Sequence, residues 1–545
     1  MANIDTKKLL RRSAKAYEAR RNWAQLMDEV YKYCIPCRRP IMQQQGESSD
    51  AKRGGVMDKV FDSTATKAAF RFAGRMSRDV TPPFQRHADL EVGPALEGLI
   101  RKQVGDDGFK DARQQIEHQL REISDKGHAL LERANFALVA DEMYLALFGG
   151  QGAMLMLEDE VDIIKFVSVP AGEIALRENG YGEVTGRYWE KEYEAQDIPH
   201  HWPKAELPAD IRKKIEEDPE CKIVIVQATE LDPDTRRWTH VVLLKEKPDA
   251  APLAVIDNML TSPWLTPRFW KPPGETMGRG PGMSALATIK VLNKVNELTL
   301  KAAAFAVYGM FTYRNDRVFN PKTARMYPGA MWAVSSNGGT MGPAVQKMEM
   351  PGRFDVSNIV QQDLREQVKQ ITFDDALPPD AGAVRSATEI VERMKRLMSD
   401  LAGAYPRLLL EIVVPLWQRL IDVMHRRQLI KFNLPVDQLV LKVQISSPIA
   451  RAQRAQDVGN MVEYLQIVLS LFGMQGAMLA VKAEDMVPEM GRMMGIPPNL
   501  LRGTQERAAL QQMIAQIMAT SMQPQQQPAA APPTQPPEQV QLTAA

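Results

Sequence analysis

Apolar positions recur at helical spacing over residues 6–34, where Leu9, Leu10, Tyr17, Trp23, Leu26, Val30 and Tyr31 stand among charged residues. The spacing predicts an amphipathic helix ended by Pro36 and Pro40. Residues 43–53 are polar and read as a loop. Helical periodicity returns over 56–78, stops at Thr81, Pro82 and Pro83, and resumes over 94–125 and 127–148. The period then changes. Short β-rich runs at 163–169, 186–193, 222–228 and 239–245 are separated by turn signals such as Asn179-Gly180 and Asp232-Pro233-Asp234. Residues 150–271 are therefore predicted to form an antiparallel β region.

The most informative helix is predicted over 283–307. At about 100° per residue, Lys290, Lys294, Glu297 and Lys301 share one narrow polar stripe. Leu286, Ile289, Val291, Leu292, Val295, Leu298, Ala302, Ala303 and Phe305 take up most of the remaining circumference. A helix this apolar has to be covered on most sides, by its own chain or by neighbouring copies. Residues 308–353, rich in Gly, Pro and Asn, read as a compact β- and turn-rich insertion. A second helix over 355–372 carries a narrow apolar line, Val360, Leu364, Val368 and Ile371. Two helices around a small insertion make an antiparallel hairpin with a head at one end.

Pro378, Pro379 and Gly382 keep 373–385, with Asp374 and Asp375, out of regular structure. Ser386 and Glu389 then form a capping box. It opens a long helical pattern to 429, bent at Gly403, Pro406 and Pro415. A short strand over 439–445 and a helical unit over 449–520 follow. From 523 onward Gln, Pro and Ala dominate with Glu538 as the one charge, a composition that cannot bury enough surface to order itself. Residues 147–155 (LFGGQGAML) and 471–479 (LFGMQGAML) match at all but one position; their flanks do not align, so the echo reads as coincidence.

A chain of 545 residues is too long for one core and suggests three or four structural units. Lys and Arg (68) almost cancel Asp and Glu (67). That lacks the basic excess of a tight nucleic-acid binder; it is compatible with a conduit through which DNA must slide, and equally with proteins that never meet DNA. Three cysteines cannot make a disulfide framework, and the lone Cys34/Cys37 pair has no histidine at ligand spacing, so both read as reduced thiols. The charged N-terminus does not read as a signal peptide. Residues 464–481 are uncharged, but Gln466, Ser470, Gln475 and two glycines favour a buried helix pair, and no membrane span is expected.

The candidate chemistry is thin. No GxxxxGK[ST] phosphate cradle and no GxSxG elbow exists. Gly278, Gly280, Pro281 and Gly282 precede a helix and could suit an anion, but Pro281 removes an amide donor, so a hinge is the better reading. His200 and His201 read as loop residues, and Asp374-Asp375 as a solvated pair rather than a Mg²⁺ site. No catalytic residue, metal or cofactor is expected. The stripe of Lys290, Lys294 and Lys301 would be a solvated face in a lone chain. In a ring of inward-tilted helices it would form basic belts at a pore, guiding DNA through weak phosphate contacts.

Five segments, in order, resemble the head–tail connector (portal) family of podoviruses. They are 19–36 (ARRNWAQLMDEVYKYCIP), 61–85 (FDSTATKAAFRFAGRMSRDVTPPFQ), 179–187 (NGYGEVTGR), 263–286 (PWLTPRFWKPPGETMGRGPGMSAL) and 386–394 (SATEIVERM). Two departures stand out: Gln85-Arg86-His87 where an aromatic often stands, and Met277 in another aromatic place. The resemblance implies an α+β, predominantly helical portal fold assembled as a ring of twelve. It maps residues 1–275 to the wing, 276–307 and 354–372 to stem helices, 308–353 to the clip and 373–385 to a channel loop. Residues 386–440 become a kinked wing helix, 441–520 a helical crown and 521–545 a tail. Arg385 joins Lys290, Lys294 and Lys301 as DNA-channel candidates. The implied partners are other copies of the chain, terminase, tail adaptor proteins, capsid and scaffold proteins, and double-stranded DNA in transit, in a virion assembled in the bacterial cytoplasm. Another virion structural or scaffold protein is the alternative, ahead of a DNA-processing enzyme.

Overall fold

The computed structural model describes residues 5–36, 59–159, 161–308, 310–313, 345–348, 354–374, 403–431, 441–445 and 448–480, with a few single positions beyond. The amphipathic stretch at the N-terminus is two helices, α1 (Thr6–Ala19) and α2 (Arg21–Cys34), where one was expected. The break falls at Arg20, whose buried guanidinium donates to the carbonyls of Ala171 and Gly172. α3 (Thr64–Val80) starts later than expected, because the Asp62 carboxylate accepts from the Thr64 amide (2.8 Å) and sets its first turn. After strand β1 (Ala88–Val92) comes α4 (Pro94–Arg133), bent at Gly105 (φ 79°), then α5 (Phe136–Leu147). The break expected near residue 126 is absent. Gly127 sits inside the helix because an added Cβ would lie 2.7 Å from the Trp417 ring.

The β region contains the four expected strands and four more. β2 (Met154–Glu158), β3 (Ile164–Ser168) and β9 (Trp264–Leu265) form a three-stranded antiparallel sheet with β2 in the middle. β4 (Ile174–Glu178), β5 (Val184–Glu194), β6 (Lys222–Leu231), β7 (Trp238–Leu244) and β8 (Ala254–Met259) form a five-stranded sheet in that order, every pair antiparallel. Its central strands are apolar on both faces because both are covered. The short helices α6 (Ile198–His201) and α7 (Ala209–Glu217) pack Ile198 and Ile211 against Ile223, Ile225, Val242 and Leu244. On the other face α1 sets Leu9 and Leu10 over Val226, Val241 and Leu243.

α8 (Pro281–Tyr308) leads into β10 (Met310–Tyr313), which pairs antiparallel with β11 (Val345–Met348), and α9 (Phe354–Ile371) returns. The expected helix–insertion–helix is therefore present, with most of the insertion outside the described residues. α10 (Tyr405–Leu408) runs through a π turn at Leu409–Val413 into α11 (Val414–Arg426). The wider turn precedes Pro415, which has no amide for the carbonyl four residues back. Trp417, Leu416 and Leu420 of α11 are fully buried in the main core with Met27, Tyr144, Phe148, Phe166 and Trp264. β12 (Leu441–Ile445) pairs with β1, Ala88 opposite Ile445. α12 (Pro448–Ala480) follows, bent at Gly473 (φ 65°). The sequence pattern predicts a buried helix pair over 464–481, of which the side chains of 464–473 are described. In the single chain Tyr464, Ile467, Leu469, Leu471 and Phe472 are exposed, because α12 meets little of the body except α3. Among the described residues no helix is long and apolar enough to cross a membrane.

Candidate functional site

The glycine run before α8 lies against the turn that follows α5. Gly282 N–H donates to the Phe148 carbonyl (2.9 Å), Trp23 Nε1 donates to the Gly278 carbonyl (2.7 Å), and Trp270 and Arg279 exchange backbone hydrogen bonds. A Cβ on Gly278 would fall 2.2 Å from Gly150 O, and one on Gly280 2.3 Å from Phe148 O. None of Gly278, Gly280 and Gly282 has positive φ, so they are needed for close backbone approach. Pro281 opens α8 at a position where no amide is needed. The expected hinge is thus a packed joint. Beside it the buried Arg268 pairs with Glu178 and Glu411 (2.7 Å to Glu411). Burial works to lower its pKa, but the two carboxylates outweigh that and hold it above the usual value.

α8 and α9 are joined by polar contacts at two heights. Thr299 Oγ1 lies 2.7 Å from Ser357 Oγ and accepts from Gln361 Nε2 (2.9 Å). One turn nearer the body, Asp62 Oδ2 accepts from Asn296 Nδ2 (2.7 Å) and Arg365 Nε (3.0 Å). Burial raises the Asp62 pKa, but the bonds from Thr64 and Arg365 overcome it, leaving the carboxyl below its usual range. Asn293 completes the seam, accepting from Phe61 N–H (2.7 Å) and donating to the Lys59 carbonyl. The hydropathy pattern passed over Asn293 and Asn296. Their signal was two amides three residues apart on a face otherwise predicted to be apolar.

The basic stripe is largely compensated within the chain. Lys290 pairs with Glu29 of α2, while Lys294 (2.9 Å) and Lys301 share Glu297. Hydrogen bonds from Lys301 and Lys294 hold the Glu297 carboxyl below its ordinary pKa. Three lysines face two carboxylates, a net of one positive charge per chain. Beside the stripe, Val291 (52% exposed) and Leu298 (54%) face solvent, and on α9 so do Ile359 (67%) and Val360 (42%).

At the far end of α9 the chain is clamped to α3. Arg71 pairs with Asp374 (3.1 Å) and Arg75 donates to the Phe373 carbonyl, while Phe373 takes a left-handed conformation (φ 60°). Asp374, expected in a solvated loop, is buried because Arg71 neutralises it over the core. Asp375, Pro378, Pro379 and Arg385 lie outside the described residues.

Residues 6–501 match the family described as bacteriophage head to tail connecting protein. The chain belongs to that family. The connector also resembles solved particle necks. One, titled "Neck of empty GTA particle computed with C6 symmetry", is 11% identical with a TM-score of 0.39, covering 82% of this chain and 94% of that one. A second, from the virion of a native gene transfer agent particle, is 11% identical with a TM-score of 0.35, covering 78% and 99%. A third, "Neck of native GTA particle computed with C12 symmetry", is 10% identical at 0.33, covering 78% and 92%. No curated protein matches the chain. Among the described residues of the connector, no three His, Cys, Asp or Glu side chains stand close enough to hold a metal ion. Cys34 is buried and its thiol is pushed up to about 12 by that burial; Cys37 lies outside the described residues.

Proposed function

We propose that copies of this connector close into a ring, twelve in number, at one capsid vertex of a short-tailed phage, and that the genome passes through its axial hole during packaging and ejection. The exposed apolar side of the α8–α9 hairpin carries this reading: Val291, Leu298, Ile359 and Val360 face water in the single chain. Exposed apolar side chains on both helices of the hairpin are what neighbouring copies would cover. In the portal scheme residues 276–307 and 354–372 form the stem, 308–353 the clip, 373–385 the channel loop, 441–520 the crown and the remainder of 1–440 the wing. Terminase docks at this ring during packaging and supplies the force, and tail adaptor proteins replace it afterwards, with capsid and scaffold proteins around the rim. With one net positive charge per stripe, the stem holds DNA weakly enough for it to slide. Electron microscopy of the purified protein tests the reading. Closed rings with a central hole are expected; a monodisperse monomer at all concentrations overturns it.

A further inference from the structure

The open faces of the two stem helices are complementary in both polarity and charge. On α8, Val291, Lys294, Leu298 and Lys301 fall at spacings of three and four and form one exposed ridge. On α9, Ile359, Asp363, Glu366 and Gln370 form another, with Val360 at its edge. The α8 ridge carries apolar side chains and cations; the α9 ridge carries apolar side chains and carboxylates. Asp363 accepts from Gln367, and among the described residues no cation pairs with Asp363 or Glu366. The α9 ridge lies away from α8, because Ser357, Gln361 and Val368 on its opposite side are the ones turned inward. Within one chain, then, the two ridges cannot meet.

Height along the hairpin decides whether they can meet between chains. Thr299 is level with Ser357 and Gln361, and Asn296 and Arg365 reach the same Asp62 oxygen. Leu298 is therefore level with Ile359 and Val360, and Lys294 with Asp363 and Glu366. For a hairpin standing close to the ring axis direction, rotation about that axis leaves these levels unchanged. We propose that the α8 ridge of one copy packs on the α9 ridge of the next, Leu298 against Ile359 and Val360, and Lys294 between Asp363 and Glu366. Lys294 then exchanges its surface pairing with Glu297 for two carboxylates of its neighbour. This assignment rests on the ring reading and replaces the channel-facing expectation for Lys294.

Charge reversal with rescue is the test. Lys294→Glu alone, and Asp363→Lys with Glu366→Lys, each place like charges at every subunit boundary. Each is expected to raise the concentration for half-assembly by about tenfold or more in mass photometry, with circular dichroism spectra and melting like wild type. The triple variant, which restores opposite charges in swapped order, is expected to return rings at the wild-type concentration. Reversed variants that assemble as wild type overturn the pairing, and so does a triple variant that fails to rescue. In both cases the wild-type ring stands. A wild-type chain that stays monomeric would instead overturn the ring itself, and this boundary with it.

Discussion

At the residue scale, a buried histidine held by a specific partner contributes to the acid response of the fold. His240 lies 2.7 Å from Thr229 Oγ1, which also accepts from Trp264 Nε1 (2.8 Å). Burial, with Arg419 nearby, lowers its pKa to about 4. Above pH ~6.5 neither the folded nor the unfolded chain protonates this ring, so the site contributes in full. As pH falls from ~6.5 toward 4 the unfolded chain takes up the proton and the folded chain does not. Stability is then lost at up to about 1.4 kcal/mol per pH unit. Chemical denaturation at pH 7 and pH 5 should show His240→Gln losing less over that interval than the wild type. An equal loss in both would remove His240 from the acid response. His87, lowered to about 3 chiefly by burial and next by His128, adds in the same direction.

At the element scale, the joint before α8 makes a sharp prediction. Gly280→Ala pushes a methyl into the backbone of Phe148 and Gly150, atoms that cannot swing aside. It should cost about 2 kcal/mol or more, seen as a lowered melting temperature. Gly403→Ala, whose methyl meets nothing within 4 Å, should melt like wild type. A Gly280→Ala protein of unchanged stability would restore the hinge reading. Legibility in the sequence follows the same physics. The hairpin of α8 and α9 was readable because long helical periodicity needs no tertiary information. β2, β4, β8 and β9 were missed because they are short, and β2 (MLMLE) shows no alternation, its first three residues being buried in a row. The split at Arg20 was missed because no Pro or Gly marks it; a buried guanidinium reaching two carbonyls does. The echo LFGGQGAML and LFGMQGAML makes the point directly. The first is a turn leading into β2, the second lies within the bent α12. Of the site, the lysine stripe was visible but its internal compensation was not, since Glu29 comes from a helix 261 residues away.

At the scale of the whole molecule, no group of three His, Cys, Asp or Glu among the described residues could hold a metal ion, and the family is described as connecting head to tail. The purified protein, free of terminase, should hydrolyse neither ATP nor DNA in turnover assays with Mg²⁺. Robust activity that survives repurification would move it to the enzyme reading. The ribbon of β1 and β12 joins residue 88 to residue 445, and Trp417 enters the main core with its neighbours Leu408, Ile412, Leu416 and Leu420, packing on residues from the first three hundred. A nascent chain with only residue 400 clear of the ribosome has an unpaired strand edge and a socket with no tryptophan to fill it. The body cannot finish folding until nearly all of it has been synthesised. If copies close into the proposed ring, that delay postpones any meeting of subunits until each is complete, and the order of the chain itself keeps half-made members out.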